Sequence, residues 1–321
     1  MDRRLLGARR RRHPCRRGHD ARDEPCIALA SVAAARALDD DLAPLLEALH
    51  ALDAPAEVVD WDDSRVDWSR YQLVVLRSTW DYAERLPEFL AWATRVAAST
   101  RLLNPPEVLR WNTDKHYLAD LERDGVAIVP STFVEPSADA HAVLDVFLAA
   151  TAAAEFVVKP SVGAGSRDAQ RHGRDAVDAA RAHVVRLLDA GRSVLLQPYL
   201  DRVDAHGETA LIHFDGVFSH AIRKGPLLRR GDGPTDALFA AEDIAPRIAS
   251  EAERALALRA LAAIPFARPL AYARVDLIHG DDGAPRLLEL ELAEPSLFFA
   301  HADGSARRFA QTLLARIAAP A

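Results

Sequence analysis

The chain has 321 residues, half of them hydrophobic and 27% charged, enough for about two or three compact units with ordinary cores. Arg, Asp or Glu interrupts its apolar stretches every few positions, so none reaches the ~18 residues of a membrane span. The formal net charge is −7, and residues 1–24 carry nine Arg against Asp2, Asp20, Asp23 and Glu24, leaving an acidic body of −12 unsuited to nucleic-acid phosphates.

The Arg-rich start lacks the apolar segment of a secretory signal. It is expected to be a disordered extension over 1–24, translated from a start codon set upstream of the fold, because such charge blocks stay solvated. Cys15 and Cys26 show neither zinc spacing nor a disulfide framework, and a cytoplasmic protein is expected.

The fold is expected to begin at Cys26-Ile27-Ala28-Leu29-Ala30, a short strand. Leu42, Leu45, Leu46 and Leu49 recur at helical spacing within 39–51. Residues 57–59 and the apolar run 73–76 read as strands, the second of a buried parallel type. Residues 86–98 read as a helix with Pro87 in its first turn, and 101–103 as a strand. Together these make a small α/β domain. Asn104-Pro105-Pro106 is a breaker. A helix over 114–123 follows, capped by Asn112 or Thr113 and ended by Gly125. Strands at 128–133 and 156–159 flank a helix at 138–150. An amphipathic helix over 175–189 stops at Gly191, and 194–197 is a strand.

Beyond Pro198 the pattern changes to long ribbons. Residues 209–214 and 217–224 make a hairpin about Asp215-Gly216. Residues 225–238 form a polar, Gly/Pro-rich lid candidate. A helix over 247–263 precedes a second hairpin, 273–279 and 285–292, turning near Asp282-Gly283, and a final helix spans 304–318.

Four constellations carry chemistry. Lys159-Pro160-Ser161-Val162-Gly163-Ala164-Gly165-Ser166 puts a strand-borne lysine before a loop of small residues, whose backbone N–H groups can approach phosphate oxygens. It is not a Walker A loop, because lysine precedes the glycines. In the second hairpin, period two places Arg274 and Asp276 on one face, and Glu289 and Glu291 on one face with the leucines of 288–292 on the other. A turn centred on Asp282-Gly283 sets Asp276 opposite Glu289 and Arg274 opposite Glu291. Carboxylates so close repel one another unless a divalent cation relieves them. Gln197-Pro198-Tyr199-Leu200 sits where the pattern changes and can face a purine edge. Arg77-Ser78-Thr79-Trp80-Asp81-Tyr82 follows the buried strand, where ligands bind in open α/β sheets, and its guanidinium and hydroxyls suit a substrate carboxylate. Each also has a plainer reading, as a turn, a solvated hairpin face or a cap.

Of 40 basic residues only Lys115, Lys159 and Lys224 are lysine. In so Arg-biased a chain, lysine persists where a compact ammonium fits and a guanidinium fork does not. His206-Gly207-Glu208 lacks a second ligand for a metal motif, and no Gly-x-Ser-x-Gly elbow occurs.

In this order the segments resemble the ATP-grasp superfamily, in its glutathione-synthetase-like branch, over nearly the whole chain outside the tail. The resemblance implies an α/β and α+β fold: a Rossmann-like pre-ATP-grasp domain at 25–104, a small lobe at 105–196 and a catalytic lobe at 197–321, the lobes clamping ATP. It implies that Lys115 and Lys159 hold ATP phosphates under the loop of Gly163, Gly165 and Ser166. Gln197, Tyr199 and Leu200 would line the adenine pocket and Glu208 would lie near the ribose. Arg223 or Lys224, with Arg274, would stabilise the transferred phosphoryl group. Asp276, Glu289 and Glu291 would bind one or two Mg²⁺. The common pattern at the last pair is Glu-x-Asn, so Glu291 is a departure that adds charge.

Arg77–Tyr82, Asn104–Lys115 and Glu289–Phe299 are similar to the O-ureidoserine cyclo-ligase of cycloserine biosynthesis and its relatives. Arg77, Ser78 and Thr79 are then candidates to meet the substrate. The expected activity is an ATP-dependent carboxylate–amine ligase that works through an acyl phosphate on a small amino-acid-like molecule. An intramolecular cyclo-ligase and a non-catalytic ATP-binding regulator are the alternatives. No nucleic-acid or membrane partner is expected, and a homo-oligomer is left open.

Overall fold

The computed structural model describes residues 27–231, 233 and 243–319. The Arg-rich extension, both cysteines and part of the expected lid lie outside the described residues. Strands β1 (Ile27–Ser31), β2 (Ala56–Asp60), β3 (Leu73–Leu76) and β4 (Arg101–Leu103) form a parallel sheet in the order β2-β1-β3-β4. β1 and β3 are buried throughout, as parallel strands covered on both faces are. Helix α1 (Leu42–His50) turns Leu42, Leu45 and Leu49 inward, and α2 (Leu86–Ser99) does so with Phe89, Trp92, Ala93 and Val96.

Asn104-Pro105-Pro106 is not only a breaker. Pro106 opens helix α3 (Pro106–Asn112), since a first-turn proline forfeits no intrahelical hydrogen bond. The helix expected at 114–123 is confined to α4 (Tyr117–Arg123), so Asn112 and Thr113 close α3 and do not cap α4. Val108, Tyr117, Leu118 and Leu121 from these helices enter the core beneath the last sheet.

Next comes an antiparallel sheet of order β5-β8-β6-β7, from β5 (Thr132–Val134), β6 (Glu155–Pro160), β7 (Gln170–Gly173) and β8 (Val194–Pro198). Helices α5 (Ala140–Ala150) and α6 (Val177–Asp189) cover it. The strand expected from residue 128 starts only at Thr132, Ile128 forming an isolated parallel bridge to Leu287.

After the short α7 (Arg202–His206) the chain builds β9 (Glu208–Phe214), β10 (Val217–Lys224), β11 (Ile244–Arg247), β12 (Tyr272–His279) and β13 (Pro285–Glu291), paired antiparallel as β11-β10-β9-β12-β13. Asp215 and Gly216 take φ of 51° and 77°, the left-handed pair that a two-residue hairpin turn requires. Helix α8 (Glu251–Ala262) starts later than expected because Ser250 and Glu253 form a capping box. Helix α9 (Ser305–Ala318) returns to pack on α1. No helix among the described residues is long and apolar enough to cross a membrane.

The β12–β13 ladder pairs Arg274 with Glu291 and Asp276 with Glu289, as expected. The register then shifts so that Leu277 pairs with Leu287, leaving Leu288 as the extra residue of a bulge. Leu290 and Leu292 join the core as alternation requires, whereas Leu288 leaves it and lines a cleft.

Just past its bulge, β13 is fastened by side chains of α3 and α4. The Asn112 amide donates to the Leu290 carbonyl at 2.6 Å and accepts from Leu292 N–H at 2.7 Å; the Tyr117 hydroxyl accepts from Leu290 N–H at 2.8 Å. Replacing Asn112 by Ala removes two buried hydrogen bonds and strands their backbone partners. Urea unfolding of N112A should show a loss of about 2–4 kcal/mol; a loss below ~0.5 kcal/mol would mean that water takes over both bonds.

Candidate functional site

A cleft open to solvent is lined by β6 and β8 of one antiparallel sheet and by β10, β12 and β13 of the other, with Trp80 and Tyr82 from the turn after β3. Its walls carry both signs of charge. Lys115 lies 2.9 Å from Glu289 and donates to the Gly163 carbonyl at 3.0 Å. Lys224 bridges Glu208 and Asp276, the latter at 2.7 Å. Arg274 donates to both oxygens of Asp276, at 2.9 Å each, and also pairs with Glu291. Lys159 lines the cleft without a hydrogen bond or ion pair from any described residue.

These contacts set the proton affinities. Burial lowers the Lys159 ammonium to about 8, and the nearby Lys115 and Lys224 charges add to that despite Glu289. Burial also disfavours charge on Lys115, but Glu289 outweighs it and keeps the ammonium protonated. Asp276 is held well below the usual carboxylate range, since Arg274 and Lys224 overcome its burial. Glu289 is likewise lowered by Lys115 and Lys159 against its burial. Glu208 and Glu291 are raised, because burial exceeds what one cation each returns.

The loop after β6 folds back over Lys115. Lys115 N–H bonds the Ser161 carbonyl at 2.9 Å. Gly165 and Ser166 both adopt left-handed φ, 61° and 59°, which glycine accepts without strain and serine does not. Gly163, Gly165 and Ser166 all line the cleft. So do Gln197, Tyr199, Leu200 and Glu208. Gln197 donates to the Ser131 hydroxyl at 2.9 Å. The Tyr199 ring lies 3.5 Å beneath the Arg171 guanidinium. Gly207, from a motif that offered no metal site, has a packing role: a Cβ there would stand 2.4 Å from the Lys224 carbonyl oxygen. Its bareness lets the start of β9 meet the end of β10, where Glu208 pairs with Lys224.

Several expected residues are placed elsewhere. Arg223 turns away from the cleft to the His206 carbonyl and Asp243, at 3.1 and 3.2 Å; its neighbour Lys224 takes the cleft face, as strand alternation demands. Arg77, Ser78 and Thr79 lie beneath the cleft, each at most 1% exposed, and not on its lining. Arg77 is drawn inward by Asp41 at 3.4 Å and the Pro295 carbonyl at 3.1 Å, and the Ser78 hydroxyl sits 2.7 Å from that of Ser31. Asp276 lies behind the lining at 1% exposure. Among the described residues no three His, Cys, Asp or Glu enclose a metal position.

Sequence reading takes the run Glu289–Phe299 as part of the resemblance but does not single out Glu294 as a site residue. Glu294 lines the cleft at 8% exposure, hydrogen-bonded to the Tyr82 hydroxyl. Burial and then Glu291 push its carboxyl up to about 8. The backbone of this segment is gripped from beneath: Asp41 accepts N–H bonds from Leu297, Phe298 and Phe299 at 2.5, 3.1 and 2.8 Å. Phe298 is held there in a left-handed conformation, φ 52°. Only spatial proximity marks Asp41 as part of this arrangement; its local sequence reads as a helix start.

Comparison with known proteins adds three findings. Residues 27–104 match the family described as D-cycloserine synthetase DcsG, N-terminal domain. The cycloserine biosynthesis protein DcsG of Streptomyces lavendulae is 48% identical over 300 residues, covering 91% of this chain and 98% of that protein. The crystal structure of D-cycloserine synthetase DcsG superposes with a TM-score of 0.85 at 47% identity, over 91% of this chain and 99% of that one. More distant folds agree: the D-alanine–D-alanine ligase of Bacillus anthracis has a TM-score of 0.65 at 13% identity, over 92% and 97% of the two chains.

The charge pattern is directly measurable, because the chain has only Lys115, Lys159 and Lys224. NMR of protein labelled with ¹⁵N-lysine should show Lys159 losing its proton near pH 8 while Lys115 stays charged beyond it. An ordinary titration of Lys159, above pH 10, would mean that water reaches its ammonium freely.

Proposed function

The chain belongs to the DcsG family of ATP-grasp ligases, and from that premise we propose that it uses ATP to activate a carboxylate as an acyl phosphate and closes a ring by attack of a nitrogen of the same molecule. It is an ATP-dependent carboxylate–amine ligase; the acyl phosphate, the ring closure and the residue roles are the proposal. An amino acid of the O-ureidoserine type, which brings both carboxylate and nitrogen, is the proposed substrate. The observation that carries the reading is the convergence of Lys115, Lys159, Lys224 and Arg274 on one cleft under a glycine loop.

In the first step a substrate carboxylate oxygen bonds to the γ-phosphorus and the bridging oxygen leaves with ADP. In the second, the nitrogen bonds to the acyl carbon, the carbon–oxygen bond to phosphate breaks, and the nitrogen gives up a proton. Phosphoryl transfer needs little covalent help from protein; positioning and charge neutralisation dominate. Lys115 and Lys159 suit the ATP phosphates, and Lys224 and Arg274 the transferred group. Gln197, Tyr199 and Leu200 suit the adenine end, with Glu208 beside the ribose.

Glu289 and Glu291, both on the cleft lining, would hold Mg²⁺, while Asp276, expected as a third ligand, lies behind them bonded to Arg274 and Lys224 and would orient those cations. The all-oxygen donor set of the two glutamates fits a hard cation that takes one or two carboxylates and completes its shell with phosphate oxygens, so no closed protein cage is required. When bound, the ion neutralises charge on the phosphates. The loop of 161–166, with the cleft-lining residues 225–228, would exclude water from an intermediate that hydrolyses readily. The supply of ATP fits a cytoplasmic location.

The test is ADP release from ATP and Mg²⁺ across amino acids and their ureido derivatives, with hydroxylamine as a trap. A hydroxamate together with ADP, from one organic substrate alone, is the expected result. AMP as product, or a strict need for a separate amine, would overturn the proposed route. K159A and E289A should each lower kcat by about 10²–10³-fold with an unchanged circular dichroism spectrum. An unfolded E289A protein would instead make Glu289 a scaffold residue whose charge Lys115 needs.

A further inference from the structure

One acid on the cleft wall has no salt-bridge partner among the described residues, Lys115 acting on it only from longer range. Glu208 faces Lys224, Glu289 faces Lys115 and Glu291 faces Arg274. Glu294, the fourth carboxylate lining the cleft, has no Lys, Arg or His within ion-pair distance among the described residues. Nor does bulk water serve it, at 8% exposure. A buried carboxyl without a cation beside it rests protonated, and a cation brought within reach would restore its charge and pair with it.

The surrounding contacts fix this carboxyl firmly. The Trp80 indole donates to the Glu294 carbonyl at 3.3 Å, Arg77 to that of Pro295 at 3.1 Å, and Arg274 to that of Ser296 at 3.2 Å. Asp41 ties down the next three N–H groups. The side chain itself receives one hydroxyl, from Tyr82. Trp80 and Tyr82 line the same end of the cleft, and aromatic faces favour cations over anions.

We propose that Glu294, flanked by Trp80 and Tyr82, is the seat of the substrate's protonated amino group. The proposal rests on the ligase reading above and deepens it. The site takes an ammonium on a small carboxylic acid. It thereby orients the acid with its carboxylate toward Arg274, which grips the same segment through Ser296. The ammonium does for Glu294 what lysine and arginine do for the other three carboxylates. An acid without an amine, or with an acylated one, would leave the carboxyl unpartnered.

The experiment compares two probes, O-ureidoserine and its des-amino counterpart 3-(ureidooxy)propanoate, by steady-state ADP release. With the wild-type chain the des-amino acid should show a KM about 100-fold higher, the scale of losing one partner of a buried charge pair. Glu294→Gln should raise the KM of O-ureidoserine by about the same factor, leave the KM of ATP unchanged, and bring the two acids within about 3-fold of each other. Glu294→Asp keeps the charge and should keep the preference at reduced affinity, which settles the matter should the glutamine variant fail to fold. Equal use of both acids by the wild type, or an amine preference that survives in Glu294→Gln, would overturn the proposal. No ADP from either acid would instead sink the ligase reading.

Discussion

The register of one hairpin governs the rest of the molecule. Side chains on a strand alternate faces, so a slip of one residue between β12 and β13 would send Glu289 and Glu291 into the core and the leucines into the cleft. The ladder holds Arg274 opposite Glu291 and Asp276 opposite Glu289, and places its single irregularity one step later. The bulge spends the mismatch on Leu288, an apolar residue that the cleft can use as lining. Asn112 and Tyr117, reaching across from two helices, fasten the same strand just beyond that point.

With the register set, electrostatics follows. Asp276 is trapped between Arg274 and Lys224, and Lys115 is spanned between Glu289 and the Gly163 carbonyl. The cleft therefore carries these cations already oriented, each paired with a carboxylate. A polyphosphate entering such a site competes with glutamates for ammonium groups that need no reorganisation, which is the condition under which fixed charges assist a reaction. Lys159 is the exception: it faces the cleft with no carboxylate of its own, and its lowered proton affinity is the mark of that isolation.

Much of this was legible beforehand, for physical reasons. Hairpin register counted outward from Asp282-Gly283 gave the pairs of Asp276 and Arg274, although nearer the turn the ladder runs one residue out of that count until the bulge at Leu288 restores it. Three lysines stood out against an arginine background, and all three line the cleft. What escaped was either aperiodic or non-local. A bulge leaves no trace in a run of leucines. The polar strand β7 has no hydrophobic alternation to reveal it. Arg77 looked available for a ligand because its competitor, Asp41, is 36 residues away in sequence. Glu294 follows the hairpin in what reads as an ordinary loop, and its isolation appears only once every cation around it has been assigned.

The grip of Asp41 on Leu297, Phe298 and Phe299 spans 256 residues or more of chain. During synthesis the first sheet can assemble early, as N-terminal units do, but its Asp41 then holds only Arg77 until residues 297–299 have been made. The cleft wall bearing Glu294 thus takes shape late. A nascent chain could acquire the glycine loop and several of its cations well before this wall closes, so the cleft stays incomplete until synthesis has passed Phe299.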